Sequence, residues 1–497
     1  MLWYGYIYYF SFFICLLTMI FFIFKINISS SLNQLNIYLF FNKIFISIIL
    51  FLFFVSFSVL NYLLDYYQDL VLVTVDYFDS KTEIEFLNIF AYNKLFTING
   101  NSLNLVQVYF YPFIYVFLFV TVLSIIFCLT YNIDELLSFM FYCLIILVAG
   151  YILFFTDSML LFFLSYEMLL VPSFFILYKF AKTRRCVEAA YLMFFWTQFG
   201  ALFLIFAFMY LFFVCNTSKF SVVEMYYFTS FEVNFFFMCF LIGFGVKLPI
   251  WPFYGWLPKA HVEASTNFSI FLSGVLVKFA FFGLLKCLLS ISLEPTFIYV
   301  YPFLTVGIVD AVFKLFYQID LKKLVAYSTV VEMHWLTICV ISGQSNLMLA
   351  SFCMLISHAL LSTNSFLLVD AVARRFKTRL ITEISGLNFM CPKLFLMILL
   401  NTLVFLGFPG SIFFISEFLF FSFFFDQFPL LSIFLLLFLY LLGPTFFFRS
   451  WMNLMFGFSK HLSKTLPLDL TSREFLLFSF ISFLMFWLGI SWQSLVI

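Results

Sequence analysis

Apolar runs of about 20 residues, the length that crosses a ~30 Å hydrocarbon core as a helix, recur along almost the whole chain. They predict helices near 2–24, 44–64, 109–130, 138–155, 157–179, 187–214, 233–257, 263–288, 297–316, 323–342, 346–370, 393–425, 430–449 and 474–494. That makes about fourteen membrane spans. The first run is too long and too uniformly apolar for a signal peptide and lacks an Arg-rich presequence, so a retained span is expected there.

The basic residues sort the connecting loops into two classes. Loops after odd-numbered spans carry Lys25 and Lys43; Lys179, Lys182, Arg184 and Arg185; Lys259; Lys322 and Lys323; Arg374, Arg375, Lys377 and Arg379; and Lys460, Lys464 and Arg473. Loops after even spans are poor in them. The long one, 65–107, holds Asp65, Asp69, Asp76, Asp79, Glu83 and Glu85 against Lys81 and Lys94. The positive-inside rule puts the odd loops on the cytoplasmic or matrix side and both termini on the other. Within 65–107, the alternating runs Leu70-Val-Leu-Val-Thr-Val75 and Glu83-Ile-Glu-Phe86, with Asn99-Gly100-Asn101 as a turn, predict a short hairpin suited to docking.

Two spans are interrupted. The seventh breaks at Pro249 and Pro252, the twelfth at Gly407-Phe408-Pro409-Gly410. Proline removes an amide donor and clashes with the preceding turn, and a broken helix survives in a bilayer only where the freed backbone lines protein or water. Paired interruptions of this kind point to inverted repeats with an ion path between them.

Composition agrees with a polytopic all-α membrane protein: 65% of the 497 residues are hydrophobic and 10% charged, against about 25% charged in soluble domains, and the mean hydropathy is +1.12. The 85 Phe residues exceed what lipid contact requires and fit a codon bias toward A and T, as in an organellar genome. A net charge of +1 argues against nucleic acid, which needs a basic face, and matters less than where the charges lie. The ten cysteines are scattered with no C-x-x-C pair, so neither zinc nor an iron–sulfur cluster is suggested.

A charge near a bilayer centre costs roughly 2.5–3.5 kcal/mol on insertion scales, which makes the charges inside apolar runs the candidate chemistry. Glu167, Lys247, Lys278, Glu332, His358 and Glu417 are those residues. Glu167 and Lys247 form the natural pair. A nearby carboxylate favours charged lysine and burial favours neutral lysine, so the geometry of the pair sets the protonation of Lys247. The structural alternatives are a kinked packing helix whose lysine snorkels, a protonated Glu167 on a backbone partner, and a His358 that only bonds between helices. Together Glu, Lys and His inside a membrane read as a proton relay, with Ser273, Ser357, Ser362 and Thr363 available to hold connecting waters. His261-Val262-Glu263 is half a metal motif without the rest, and Asp320, Lys322 and Lys323 sit at a helix end that reads as a solvated face. No Walker motif and no strand–GxGxxG–helix is present, so no cofactor or metal is expected in this chain.

The run Trp256-Leu-Pro-Lys-Ala-His-Val-Glu-Ala264, with Val246-Lys-Leu-Pro249 before it and Val277-Lys278 after it, resembles the subunit 4 family of mitochondrial NADH:ubiquinone oxidoreductase, respiratory complex I. Tyr166-Glu-Met-Leu-Leu-Val-Pro172, Asp320-Leu-Lys-Lys-Leu-Val-Ala-Tyr-Ser328 and Ile356-Ser-His-Ala-Leu360 extend the resemblance over roughly 100–450. It implies two inverted five-helix repeats and the partition 1–108 (N-terminal helices and acidic loop), 109–135 (third helix), 136–292 and 293–450 (the repeats) and 451–497 (positive-side loop and last helix). It implies proton pumping driven by quinone reduction elsewhere, with Glu167 and Lys247 as the ion pair, Lys278 as the central lysine, His358 as the histidine of the eleventh span and Glu417 on the exit side. NADH, FMN, iron–sulfur clusters and ubiquinone are expected in other subunits. The implied partners are the other membrane-arm subunits, with subunits 2 and 5 adjacent, lipids, and an accessory subunit on the 65–107 loop. The implied location is the mitochondrial inner membrane, with both termini on the intermembrane-space side.

The tenth span departs from the resemblance. Where the family has Ser-His-Met, this chain has Val331-Glu332-Met333, with His334 two places on from Glu332. Either Glu332 replaces the histidine in the relay, or it balances Lys314, Lys322 or Lys323 near the positive end. The other functional reading is a subunit of a multi-subunit sodium/proton antiporter, and a third is a structural subunit with a dead channel.

Overall fold

The computed structural model describes residues 133–180, 183–291, 298–343, 345–457 and 469–491, together with Val116, Phe117 and Val120. The chain divides into two compact units, 1–119 with Ile497, and 120–496. In the first, only Val116 and Phe117 are described, both helical. The spans expected at 2–24 and 44–64, most of that at 109–130, and the expected 65–107 hairpin lie outside the described residues.

The second unit is built from helices. In chain order they are α1 (Ile133–Phe155), α2 (Met159–Lys179), α3 (Arg184–Cys215), α4 (Ser230–Lys247), α5 (Trp256–Glu263), α6 (Thr266–Ser290), α7 (Tyr301–Phe316), α8 (Leu321–Ile341), α9 (Ser345–Phe376), α10 (Pro392–Phe405), α11 (Ile412–Gln427), α12 (Pro429–Met455) and α13 (Ser472–Ile490). Among the described residues, extended pairing is limited to the single bridges Ser158 with Lys219 and Asp320 with Leu380. Every span expected from 138–155 onward falls on one of these helices or on a broken pair, α4–α5 or α10–α11. Eight helices in the described residues are long and apolar enough to cross a membrane.

The helix starts follow capping chemistry, in which a side-chain oxygen accepts one of the amides left free in the first turn. Thr183 caps α3 and Asp320 caps α8, Ser265 and Ser411 cap α6 and α11, and Thr229 with Glu232 and Thr471 with Glu474 form reciprocal boxes on α4 and α13.

The two breaks are built alike. At the end of α4 the Ile250 amide donates back to the Gly245 carbonyl at 2.9 Å, and at the end of α10 the Phe408 amide donates to the Leu403 carbonyl at 3.2 Å. Each is a bond to the fifth residue back, which closes the last turn wide and lets the chain leave the helix axis. The second break needs Gly407 and Gly410 with φ of +70° and +91°, a region that costs other residues about 1–2 kcal/mol. A second irregularity also repeats. A π turn interrupts α6 at Leu272–Leu276 and another interrupts α12 at Leu437–Leu442. Each irregularity recurs five spans further along the chain, an odd number, so the second set runs in the opposite sense to the first.

Burial orders the helices radially. The membrane windows of α6 and α9 are wholly buried and that of α8 is 94% buried, whereas α3 and α12 are only 33% and 39% buried. α6, α8 and α9 therefore form the centre, and they carry Lys278, Glu332 and His358.

Close helix approach uses small residues, as expected where lipid gives no hydrophobic drive to pack helices. A Cβ at Gly200 of α3 would lie 2.7 Å from the Gly243 carbonyl of α4, and one at Gly243 would lie 2.5 Å from Leu204. Gly200→Leu should force α3 off α4 and cost about 1–3 kcal/mol by overpacking. A lowered thermal aggregation midpoint in detergent is the expected readout, and an unchanged midpoint would show that the crossing is loose.

Candidate functional site

Glu167 of α2 and Lys247, the last residue of α4, approach each other at 4.0 Å. Each has another partner. Lys247 Nζ donates to the Tyr166 carbonyl at 3.0 Å and lies 3.3 Å from the centroid of the Tyr166 ring, a cation–π contact. Glu167 Oε2 accepts from Gln198 Nε2 of α3 at 2.9 Å, while Oε1 has no hydrogen-bond partner. The pair thus sits at the edge of contact with a fallback on either side. The Tyr166 hydroxyl donates to the Gly243 carbonyl at 3.3 Å, tying α2 to the helix that ends in Lys247.

A second constellation crosses the three central helices. Lys278 of α6 donates to the Ser273 carbonyl in the π turn and contacts His358 Nδ1 of α9 at 2.5 Å. A lysine ammonium can only donate, so Nδ1 accepts and the ring hydrogen is on Nε2. Nε2 faces Glu332 Oε2 of α8 at 3.4 Å, within ion-pair distance but outside hydrogen-bond alignment. Glu332 and Glu417 of α11 then line one cavity of about 30 Å³ with Ser328, Trp335 and Met354. Oε2 of each carboxylate lacks a hydrogen-bond partner, and the Glu417 carboxylate packs on Gly407 at the second break.

All six sequence-predicted residues are therefore in the bundle, as a pair and a row of four. Among the described residues no direct hydrogen bond or ion pair joins Lys247 to Lys278. The charge-balancing reading of Glu332 is not what the geometry shows. Lys314 pairs with Asp310 at 2.8 Å and Lys322 donates to the Ala264 carbonyl at 2.5 Å, leaving Glu332 with His358. One further expectation is corrected. Lys322, read as part of a solvated face, is buried, because it caps the end of α5. The hydroxyls of Ser273, Ser357, Ser362 and Thr363 donate to carbonyls three residues back on their own helices, to Ile270, Met354, Ala359 and Leu360, which spends their hydrogens and leaves acceptor capacity on the oxygens.

Some residues escaped the sequence reading. Lys286, one more lysine in the run that holds Lys278, is buried and donates to the carbonyls of Leu153, Phe154 and Thr156 at the end of α1. Its charge within an apolar run was the available signal. Gln198 and Tyr254 are uncharged and gave none, whereas Asp310 and Lys314, four residues apart within the run 297–316, carried the same signal as Lys286. His261 is fully buried, stacked on Phe366 with ring centroids 4.8 Å apart, and both its nitrogens lack partners. Among the described residues no three His, Cys, Asp or Glu side chains converge as a metal site requires.

Paired broken helices around a buried acid–base row define a polytopic membrane protein of the antiporter-like class. The model of the family "NADH:quinone oxidoreductase/Mrp antiporter, TM" matches residues 156–443, and the chain belongs to that family. It is similar to NADH-ubiquinone oxidoreductase chain 4 of Paramecium tetraurelia, with 34% identity over 365 residues that cover 72% of this chain and 76% of the relative. Among solved structures it resembles a chain of respiratory complex I from Thermus thermophilus with bound NADH, with a TM-score of 0.68 and 20% identity, covering 80% of this chain and 83% of that one. A chain of the Mrp complex from Dietzia sp. DQ12-45-1b gives a TM-score of 0.66 at 20% identity, covering 78% of this chain and 43% of that one. At these identities the structural likenesses establish the shared fold.

The contact between Gly407 and Glu417 is testable. Gly407→Ala places a methyl group on a residue at φ +70° and 2.5 Å from Glu417 Oε2, so a loss of about 1–2 kcal/mol from backbone strain is expected. A thermal melt of the extracted chain reads it, and a melt equal to wild type would mean that the break relaxes.

Proposed function

We propose that this chain is the proton-translocating membrane subunit of an NADH:ubiquinone oxidoreductase, driven by quinone reduction in other subunits. We place it in the mitochondrial inner membrane beside the other antiporter-like subunits, with both termini on the intermembrane-space side. The single observation that carries the reading is the Lys278–His358–Glu332 row, which crosses the most buried helices with a donor and an acceptor at each junction.

The residues divide the work as their geometry suggests. Lys247 can rest on Glu167 or on the Tyr166 carbonyl and ring, and Glu167 on Lys247 or Gln198, so the pair has two arrangements that differ in how firmly Lys247 is held. Lys278 passes a proton to His358 Nδ1 as the ring releases its Nε2 hydrogen toward Glu332. From Glu332 the next carboxylate is Glu417, across a cavity with room for about one water. NADH, FMN, iron–sulfur clusters and ubiquinone belong to partner subunits in this reading. A sodium/proton antiporter subunit of the multi-subunit type is the alternative, favoured only by the Mrp likeness of the fold, and copurification with flavin and iron–sulfur subunits decides against it.

Lys247→Ala should lower pumping by roughly a hundredfold, the scale of losing a positioned acid–base group, and slow coupled NADH oxidation in an assembled complex. Glu167→Gln should behave similarly and Glu167→Asp more mildly. Normal coupled turnover in assembled Lys247→Ala complex would overturn the reading. Glu332→Gln separates relay from charge balance. It should impair pumping in reconstituted vesicles, and Glu332→His, which restores a proton carrier facing His358, should recover it; a Gln variant that pumps normally would remove Glu332 from the path.

A further inference from the structure

The break after α4 accounts for its own backbone almost completely. Pro249 and Pro252 have no amide hydrogen. The Leu248 amide donates to Phe244, that of Ile250 to Gly245 and that of Phe253 to Ile250. Only the Trp251 amide leaves this local set, and it donates to His334 Nε2 of α8 at 2.7 Å. The other ring nitrogen, Nδ1, donates to the Val330 carbonyl one turn back at 2.8 Å. Both nitrogens are thereby committed, the ring is fully buried, and the tautomer is fixed.

The surroundings are shaped to this joint. Gly307 of α7 leaves the space, since a methyl group there would overlap the His334 ring and come within 2.7 Å of Trp251 Cβ. Tyr254, three residues along the break, packs its ring edge-on to His334 with centroids 6.0 Å apart. Its hydroxyl bonds Asp310 and Lys314 of α7. Thus the first half's break is held by α7 and α8, the first two helices of the second half.

Two short connections make the joint a lever. Trp251 lies four residues from Lys247, and His334 lies two residues from Glu332. Residues two apart on a helix point about 200° from one another. α8 therefore turns one face to the break beside Lys247 and the opposite face to His358. We propose that His334 is a positioning residue: through its bond to the Trp251 amide, the state of the Glu167–Lys247 pair sets the Glu332-to-His358 separation, coupling the two half-channels. His334 carries no proton in this role. The inference rests on the proton-translocation reading above, and on α4 and α8 being joined by this bond.

The test uses the assembled complex in vesicles and reads protons moved per NADH oxidised, with assembly followed separately on native gels. His334→Leu keeps the volume but loses the acceptor, and it should lower the ratio about fivefold or more, the scale of a coupling between sites. His334→Gln presents an amide oxygen where Nε2 lies and should restore most of the ratio. Gly307→Ala, which wedges the joint apart, should reproduce the Leu defect without touching either half-channel. A Leu variant that pumps normally overturns the proposal. So does a Gln variant as impaired as Leu, which would make His334 a proton carrier. If His334→Leu fails to assemble, Gly307→Ala with a normal ratio overturns it alone. Lys247→Ala run in parallel keeps the two readings apart: normal pumping there sinks the function, whereas a dead Lys247→Ala beside a normal His334→Leu sinks only the coupling.

Discussion

A helix that stops inside an apolar bundle exposes amides and carbonyls that lipid cannot solvate, and each left without a partner costs several kcal/mol. Much of this fold is the answer to that cost at two places. After α4 the bonds from Leu248, Ile250 and Phe253 close locally, Trp256 Nε1 takes the Val246 carbonyl at 2.8 Å, and His334 reaches in from α8. After α10 the same wide turn is closed on Leu403, with glycines supplying the left-handed backbone. The first break leaves Lys247 deep in the protein and the second sets Glu417 against Gly407, and at the first a neighbouring helix, α8, completes the backbone.

Buried lysines here serve backbone as much as they serve charge. Lys247 donates to Tyr166, Lys278 to Ser273, Lys286 to the end of α1 and Lys322 to the end of α5. A helix C-terminus presents unsatisfied carbonyls and a partial negative charge, so an ammonium placed there is solvated by the protein itself. This separates two kinds of lysine. Lys286 and Lys322 donate to carbonyls, with the Phe162 and Phe220 rings also facing Lys286, and neither bonds a titratable side chain. Lys247 and Lys278 each have a carbonyl and a titratable side chain, Glu167 and His358, and can exchange one for the other.

How much of this could be read from the residues follows from the kind of signal each left. Within the described residues the spans and breaks were legible because hydropathy and proline act locally, and the six candidate residues because a charge in an apolar run is rare enough to need a cause. Which charges meet was only partly legible. Glu332 was left between His358 and the positive-end lysines, and its helix phase alone did not choose. His334 was noted only as standing two places on from Glu332, whereas its nitrogens are consumed by Val330 and by Trp251, the latter a pairing 83 residues apart that no periodicity encodes. Lys322 looked solvated because it stands beside Asp320 and Lys323 at a helix end; the neighbouring α5 terminus that buries it is distant in sequence.

The carboxylate at position 332 changes the logic of the row rather than only its composition. With Lys278 charged, His358 must accept at Nδ1, and its one hydrogen faces Glu332. A histidine at 332 would face that ring with a group that both donates and accepts, and the direction of transfer would rest on two tautomers. An ionised Glu332 only accepts, so in the proposed relay the first transfer would run from His358 to Glu332, and the ring would regain its hydrogen from Lys278 on the opposite nitrogen. A neutral Lys278 could accept at the same contact and reverse the sequence. In the proposed relay the protonation of Lys278 would therefore set the direction of the row, and the other carboxylate among the described residues lining the Glu332 cavity is Glu417, held against Gly407 at the second break. In that reading the sequence departure in the tenth span would give the row a sense of direction, ending where the backbone opens.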